Sequence, residues 1–197
     1  MHYYHYLAHQ QDTAGAATFT STQIAQMVHT DDTLVRKDLA AIGVRGLPRV
    51  GFNSSEVLAG IRKALGFDVE IRAVIIGAGR LGGSFASYCG FAPHGLEIRG
   101  LFDIAPQKVG LSIGRFRVEP MSCLPAVVRQ HDIGIAILAV PEVAAQEVAD
   151  LAVAAGIKGI WNFASTNLVV PEGVFVRHEH ISVGLAELRY NLMRSRP

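Results

Sequence analysis

The sequence predicts an α/β protein in three successive parts: a small helical domain over residues 1–66, a parallel-sheet domain over 67–180 and a terminal helix within 181–197. Three observations predict this. Up to about Gly66 the apolar residues recur at helical spacing, whereas beyond Val69 short β-branched runs alternate with helical stretches. A chain of 197 residues, 50% of them hydrophobic, can build one large core or two small ones. Neither repeats nor low-complexity segments break the pattern, and the Gly/Pro-rich stretch Gly43 to Gly51 reads as a tight loop.

In the first part, Tyr3 to Gln10 can form a helix, and Ser21 can cap a second one, Thr22 to Val28, with Ile24, Ala25 and Val28 on one face. A polar turn, His29 to Asp32, follows. The next helix, Thr33 to Ile42, offers Leu34, Val35, Leu39 and Ile42 as its buried stripe and turns Arg36, Lys37 and Ala40 outward. Helix, short turn, helix is a helix-turn-helix pattern. Asn53 and Glu56 make a capping box for a further helix, Ser54 to Leu65, which carries Val57, Leu58, Ile61 and Leu65 inward. The loop before it, GVRGLPRVG, fits a two-stranded wing. The first part therefore reads as a winged-helix domain.

Its charge is informative by position rather than by sum. Lys+Arg 18 against Asp+Glu 17 over the whole chain excludes a bulk-basic coat, an acidic tail and charge-driven disorder. Arg36 and Lys37 nevertheless share the outer face of one helix, and Arg45 and Arg49 lie on the wing beside it. Cations on one edge suit phosphates and a groove. The alternative is a solvated helix face next to a basic loop.

In the second part the apolar run Ile71 to Ile76 leads straight into Gly77-Ala78-Gly79-Arg80-Leu81-Gly82 and then into a helix reaching Tyr88. This is a Rossmann-type fingerprint in its strand-turn-helix setting: Gly77 permits the tight turn, Gly79 lets the backbone approach a pyrophosphate, and Gly82 lets helix pack on strand. The helix N-terminus offers N–H groups and dipole to an anion. A second run, Leu96 to Phe102, ends in Asp103, 21 residues after Gly82, where a carboxylate would accept bonds from both adenine-ribose hydroxyls and repel a 2′-phosphate. That favours NAD over NADP, unless Asp103 is only a strand-end turn former. The alternation continues with a strand Ile133 to Val140, a helix from Pro141 to Ala155 and a strand Gly159 to Phe163. Pro141 falls at the carboxyl edge of the sheet, where ligands bind.

After these strands only a terminal helix, Ser182 to Met193, remains, with no space for the substrate domain a dehydrogenase needs. Its apolar Val183, Leu185, Leu188 and Leu192 cannot stand alone and are expected to dock on a second subunit. Cys89 and Cys123 have neither disulfide nor zinc-ligand spacing, and no paired base is evident for either. His2, His5 and His9 share a helical face and His178 and His180 one face of a strand, but no further ligand joins either set, so no metal is expected. The start, MHYYHYLAHQQ, lacks the regions of a signal peptide, and Ile133 to Val140 is too short to span a membrane, so a reduced, cytoplasmic protein is expected.

The chain resembles the Rex family of redox-sensing transcriptional repressors over nearly its whole length. The resemblance rests on VRKDLAAIGVRG (Val35 to Gly46) with PRVGF, on GAGRLG, on LFDIAPQKVG (Leu101 to Gly110), on VPEVAAQEVAD (Val140 to Asp150) and on AGIKGIWNFA (Ala155 to Ala164). It implies a homodimer in which a winged-helix domain binds double-stranded operator DNA and a Rossmann domain senses NAD+/NADH, a switch without catalytic residues. Carried over, Arg36, Lys37, Arg45 and Arg49 contact operator DNA, with Ser21, Thr22 and Thr33 beside them. Gly77, Ala78, Gly79, Arg80, Leu81 and Gly82 bind the pyrophosphate, Asp103 the ribose with Lys108 nearby, and Val140, Pro141 and Phe163 the nicotinamide side. Tyr88 matches a tyrosine near the nicotinamide, or is an ordinary helix-face aromatic. His5, His180 and Gly184 stand where the family has an arginine and two acids that link cofactor state to domain orientation. The other readings are a small NAD-dependent oxidoreductase and a CoA-binding Rossmann protein that ignores DNA.

Overall fold

The computed structural model describes Tyr4, Leu7, Ala8 and residues 17–194, which form two compact units, Met1–Val69 and Glu70–Pro197. Most of the expected first helix, with His2, His5 and His9, lies outside the described residues; Tyr4, Leu7 and Ala8 are helical.

In the first unit a short strand β1 (Thr18–Phe19) precedes α1 (Ser21–Met27), α2 (Asp32–Ala41), β2 (Phe52–Asn53) and α3 (Ser54–Ala64). Each of these helices begins under a side-chain cap. Thr20, not Ser21, caps α1: its hydroxyl accepts the Gln23 N–H while the Gln23 side chain accepts the Thr20 N–H, a complete capping box. Asp31 caps α2, accepting from the Thr33 and Leu34 N–H groups, so this helix starts one residue earlier than expected. Asn53 caps α3.

Ile24, Ala25, Val35, Leu39, Val57, Leu58 and Ile61 are buried in one core with Tyr4 and Leu7. Two expected core residues are not. Leu34 lies a helical step off the Val35/Leu39 line and is 47% exposed, and Leu65 follows the last turn of α3 and is 46% exposed. Val28 and Ile42 are half-buried. The wing differs too: Leu47 bridges to Gly51 across a tight turn, but β2 pairs antiparallel with β1, a strand from ahead of α1.

The second unit is a seven-stranded sheet among the described residues, with β3 (Ile71–Ile76), β4 (Leu96–Asp103), β5 (Ser112–Ile113), β6 (Phe116–Pro120), β7 (Ile133–Leu138), β8 (Gly159–Asn162) and β9 (Phe175–His178) in the order β5-β6-β4-β3-β7-β8-β9. All neighbours are parallel except the β5–β6 hairpin. Without that hairpin strand the order is that of a dinucleotide-binding sheet, with its switch point between β3 and β7. Alternate residues of β3 face opposite cores, Val74 and Ile76 one, Ala73 and Ile75 the other.

The helices of this unit are α4 (Arg80–Ser87), α5 (Leu124–His131), α6 (Glu142–Ala154) and α7 (Ile181–Arg194). β5, β6 and α5 lie outside the predicted elements. The strand expected to Val140 stops at Leu138, the strand expected to Phe163 stops at Asn162, and Pro141 is the N-cap of α6 rather than its first residue. His180 lies beyond β9, so it shares no strand face with His178; their rings stack instead, 5.9 Å apart and 8° from parallel.

Because the Asn53 side-chain oxygen satisfies the Ser55 and Glu56 N–H groups at 2.9 and 3.3 Å, Asn53→Ala is expected to cost the first unit about 1 kcal/mol and Asn53→Asp close to nothing. Denaturant unfolding of both variants checks this; equal stabilities would show that the cap contributes nothing.

Candidate functional sites: a cofactor cleft and a basic groove

The β3–α4 turn is built on close approach. Gly77 has φ +108°, and a Cβ there would run into the Ala139 carbonyl oxygen, while a Cβ at Gly82 would run into the Gly77 carbonyl oxygen. The backbones of β3, α4 and the segment after β7 thus touch where a side chain cannot fit. Gly79 is different: a Cβ there meets no protein atom within 4 Å, so the space opens onto the cleft. No side chain caps α4 at Gly79 or α6 at Pro141, and both residues line the same cleft. The N–H groups at the start of α4 and those of Glu142 and Val143 in α6 remain available to an outside acceptor, whereas the Ala144 N–H already donates to Pro141 O at 3.0 Å.

This cleft, about 500 Å³, is lined by Gly77, Gly79, Arg80, Leu81, Asp103, Lys108, Val140, Pro141 and Phe163 among the expected residues. Ala78 and Gly82 are buried beneath it. Ile104, Ala105 and Ala139 of the loops and Ala144 of α6 also line it; these are small or apolar residues without a chemical signature in sequence. Tyr88 is not part of the lining. It is exposed at the end of α4 and meets Phe91 edge-on at 4.9 Å. Phe91 in turn lies 6.0 Å from both Phe85 and Trp161, and each of those packs on Phe163, at 4.7 and 5.1 Å. An aromatic chain thus connects Tyr88 to the cleft.

Asp103, 5% exposed at the end of β4, is the electrostatic centre. Its Oδ2 accepts the Ala78 N–H at 2.7 Å and Lys108 Nζ at 2.9 Å, and its Oδ1 accepts the Ala105 N–H at 2.8 Å. Burial pushes this carboxyl up, but the Lys108 hydrogen bond, the Ala105 and Ala78 N–H groups and the Lys108 charge together outweigh it and hold it below the ordinary carboxylate range. A carboxylate has about four acceptor positions, and three are taken. One position, on Oδ1, is left open by the protein's own donors.

At the end of β8 Asn162, fully buried, accepts the Ala164 N–H and donates to Thr166 O, with Nδ2 3.0 Å from His178 Nδ1. It thereby fixes the loop that carries Phe163. Trp161 Nε1 and Arg177 Nε both donate to Glu179, which these bonds hold below its ordinary range.

In the first unit a groove of about 560 Å³ brings Ser21, Arg36, Arg45 and Arg49 together with Thr20 and Phe52. Thr22, Thr33 and Lys37 are exposed but outside its lining. Arg49 has φ +62°, and Val50 N–H reaches Leu47 O at 3.1 Å across Pro48-Arg49. This is a turn with proline at its second position and a left-handed third residue, where glycine is the unstrained choice.

Residues 68–166 match the CoA binding domain family. The redox-sensing transcriptional repressor Rex of Carboxydothermus hydrogenoformans is 42% identical over 91% of this chain and 86% of its own, and that of Treponema denticola 40% identical over 86% and 80%. The chain belongs to the Rex family. A crystal structure of RSP in complex with β-NAD+ and operator DNA superposes on it with a TM-score of 0.88 at 33% identity, covering 96% of this chain and 87% of that one. RSP in complex with β-NADH gives a TM-score of 0.86 at 32% identity, covering 96% and 88%. The Rex match extends over both units, whereas the CoA binding domain match stops at the sheet. Among the described residues no helix is long and apolar enough to cross a membrane, and no group of three or more His, Cys, Asp or Glu is arranged to hold a metal.

A folded-state value below the unfolded one means that Asp103 stabilises the second unit at all pH above the ordinary carboxylate range, and that this contribution is lost as pH falls through the lowered value. Asp103→Asn is therefore expected to lower neutral-pH stability and to flatten the acid limb of the stability–pH curve. Curves that fall in parallel would refute the assignment.

Proposed function

We propose that this chain is an NADH/NAD+-responsive transcriptional repressor that binds operator DNA as a homodimer in the cytoplasm and is released by NADH. The observation that carries it is the pairing, in one Rex-family chain, of a dinucleotide-type cleft with a separate arginine-lined helix-turn-helix groove. A dinucleotide's pyrophosphate fits the uncapped first turn of α4 and the space at Gly79, next to Arg80. The adenosine ribose fits Asp103 and Lys108, the carboxylate accepting one hydroxyl. The nicotinamide fits the apolar side formed by Val140, Pro141 and Phe163. Bound there, the cofactor supplies a redox-dependent ring charge and the protein supplies no chemistry. The ionisable side chains of the lining are Arg80, Asp103 and Lys108, and the last two neutralise each other, which leaves a hydride-transfer reaction without an acid/base group.

On the DNA side, Arg36 and Lys37 on α2 and Arg45 and Arg49 on the wing serve as the contacts, with Ser21, Thr22 and Thr33 around them. The exposed Val183, Leu185, Leu188 and Leu192 of α7 are covered by the second subunit. The match to the CoA binding domain family favours one other reading, a cleft that takes the nucleotide end of CoA. Asp103 argues for a free ribose hydroxyl at that place rather than a phosphorylated one.

Anisotropy of a labelled palindromic Rex-type duplex, titrated with NADH, NAD+ and CoA in parallel, tests the proposal. Release by NADH alone is expected; release by CoA, or no DNA binding at all, would overturn it. Arg49→Gly separates the wing's cation from its backbone. Stability of the DNA-free protein should stay level or rise by up to about 1 kcal/mol. Operator affinity should fall, and, with one wing in each subunit, the log–log salt slope should become shallower by about 1.8. An unchanged salt slope would remove Arg49 from the phosphate contacts.

A further inference from the structure

We propose that Asp32 is a positioning residue that fixes Arg36 to read a guanine in the major groove, so that the pair sets base specificity instead of adding charge to the interface. The inference rests on the DNA-binding reading given above. Its starting point is a carboxylate out of place: a face that meets phosphates gains nothing from an acidic side chain at the start of its recognition helix. Asp31 is accounted for as the cap of α2. Asp32 caps nothing. Its Oδ2 instead accepts Arg36 Nη1 at 2.6 Å, one helical turn on.

The same Nη1 donates to Ser21 Oγ of α1 at 2.9 Å, and Nη2 reaches Thr33 Oγ1 at 3.4 Å. Both hydrogens of Nη1 are thus committed, to two different helices, and the long side chain is held on both sides. The pair is substantially exposed, 52% for Arg36 and 33% for Asp32, where an ion pair contributes little to stability. Its effect is geometric. Among the described residues, the edge made by Nε–H and the outer Nη2 hydrogen carries no partner other than the long Thr33 contact. That edge is the bidentate donor fork that matches guanine O6 and N7. With its charge balanced by Asp32, the guanidinium is a poor phosphate ligand but keeps this fork. Lys37, Arg45 and Arg49 make no ion pair among the described residues, so they keep full charge for phosphates. One cation is aimed and three are free.

Sequencing of duplexes retained from a randomised pool by the full-length protein tests this, with wild type, Asp32→Ala, Asp32→Asn and Arg36→Ala run side by side. Wild type should select a guanine at one position of each half-site. Asp32→Ala should lose about tenfold of that preference, keep the preferences at other positions, and bind an unrelated duplex more tightly with a steeper salt dependence. Arg36→Ala should lose the same position, and Asp32→Asn, which keeps an acceptor oxygen, should retain part of it. Unchanged preferences in Asp32→Ala, or a uniform loss at all positions in both Asp32 variants, would overturn the positioning role. A wild-type protein that enriches no sequence would instead overturn the DNA-binding reading itself.

Discussion

A carboxylate buried at the end of a strand must have its lone pairs satisfied, because an unpaired charge in the interior costs far more than any single contact returns. Asp103 meets this demand with donors from three places: Ala78 in the glycine turn, Ala105 in the loop after β4, and Lys108 farther along. Two loops that cross the carboxyl edge of the sheet are thereby tied to one group. The glycines complete the constraint, since Gly77 and Gly82 allow backbone to lie on backbone where a Cβ cannot fit. The cleft is formed by the protein's own bonding, before any ligand arrives.

The two units treat their helix N-termini in opposite ways. In the first, Thr20, Asp31 and Asn53 occupy the starts of α1, α2 and α3 with their own side chains. In the second, α4 and α6 begin at Gly79 and Pro141 without one, and both face the cleft. Capping in the small unit offsets a limited core and short helices. Leaving the cap open in the sheet unit gives up that stabilisation where an anion can take the same N–H groups.

Sequence made the glycine turn, Asp103 and the central strands legible because a fingerprint fixes residue types at set spacing. The hairpin β5–β6 was not legible: Ser112–Ile113 spans two residues, too few for a period-two signal, and Pro120 closes β6. Helix α5 hides behind Pro125. Burial of Leu34 and Leu65 was overestimated because periodicity does not say how wide a helix's contact stripe is or where its last turn ends. Tyr88's distance from the cleft lining and its link through Phe91, Phe85 and Trp161 depend on side chains from two stretches far apart in the chain, 85–91 and 161–163. No local pattern encodes such a chain. The capping role assigned to Ser21 fell to Thr20, and Ser21 holds Arg36 instead.

Switching by a bound dinucleotide has a minimum energetic requirement. A tenfold change in operator affinity needs about 1.4 kcal/mol of difference between the two cofactor forms in their preference for one protein state. The forms differ in a ring charge at the nicotinamide, so the discriminating surface is the one that ring meets. Val140, Pro141 and Phe163 are apolar, and an apolar surface disfavours a charged ring over a neutral one in proportion to how fully it is enclosed. A state that closes more tightly around the ring therefore selects the reduced form without any residue reading the hydride. Phe163 belongs at once to the cleft lining and to the aromatic chain ending at exposed Tyr88. The loop that carries Phe163 is in turn held by the buried Asn162.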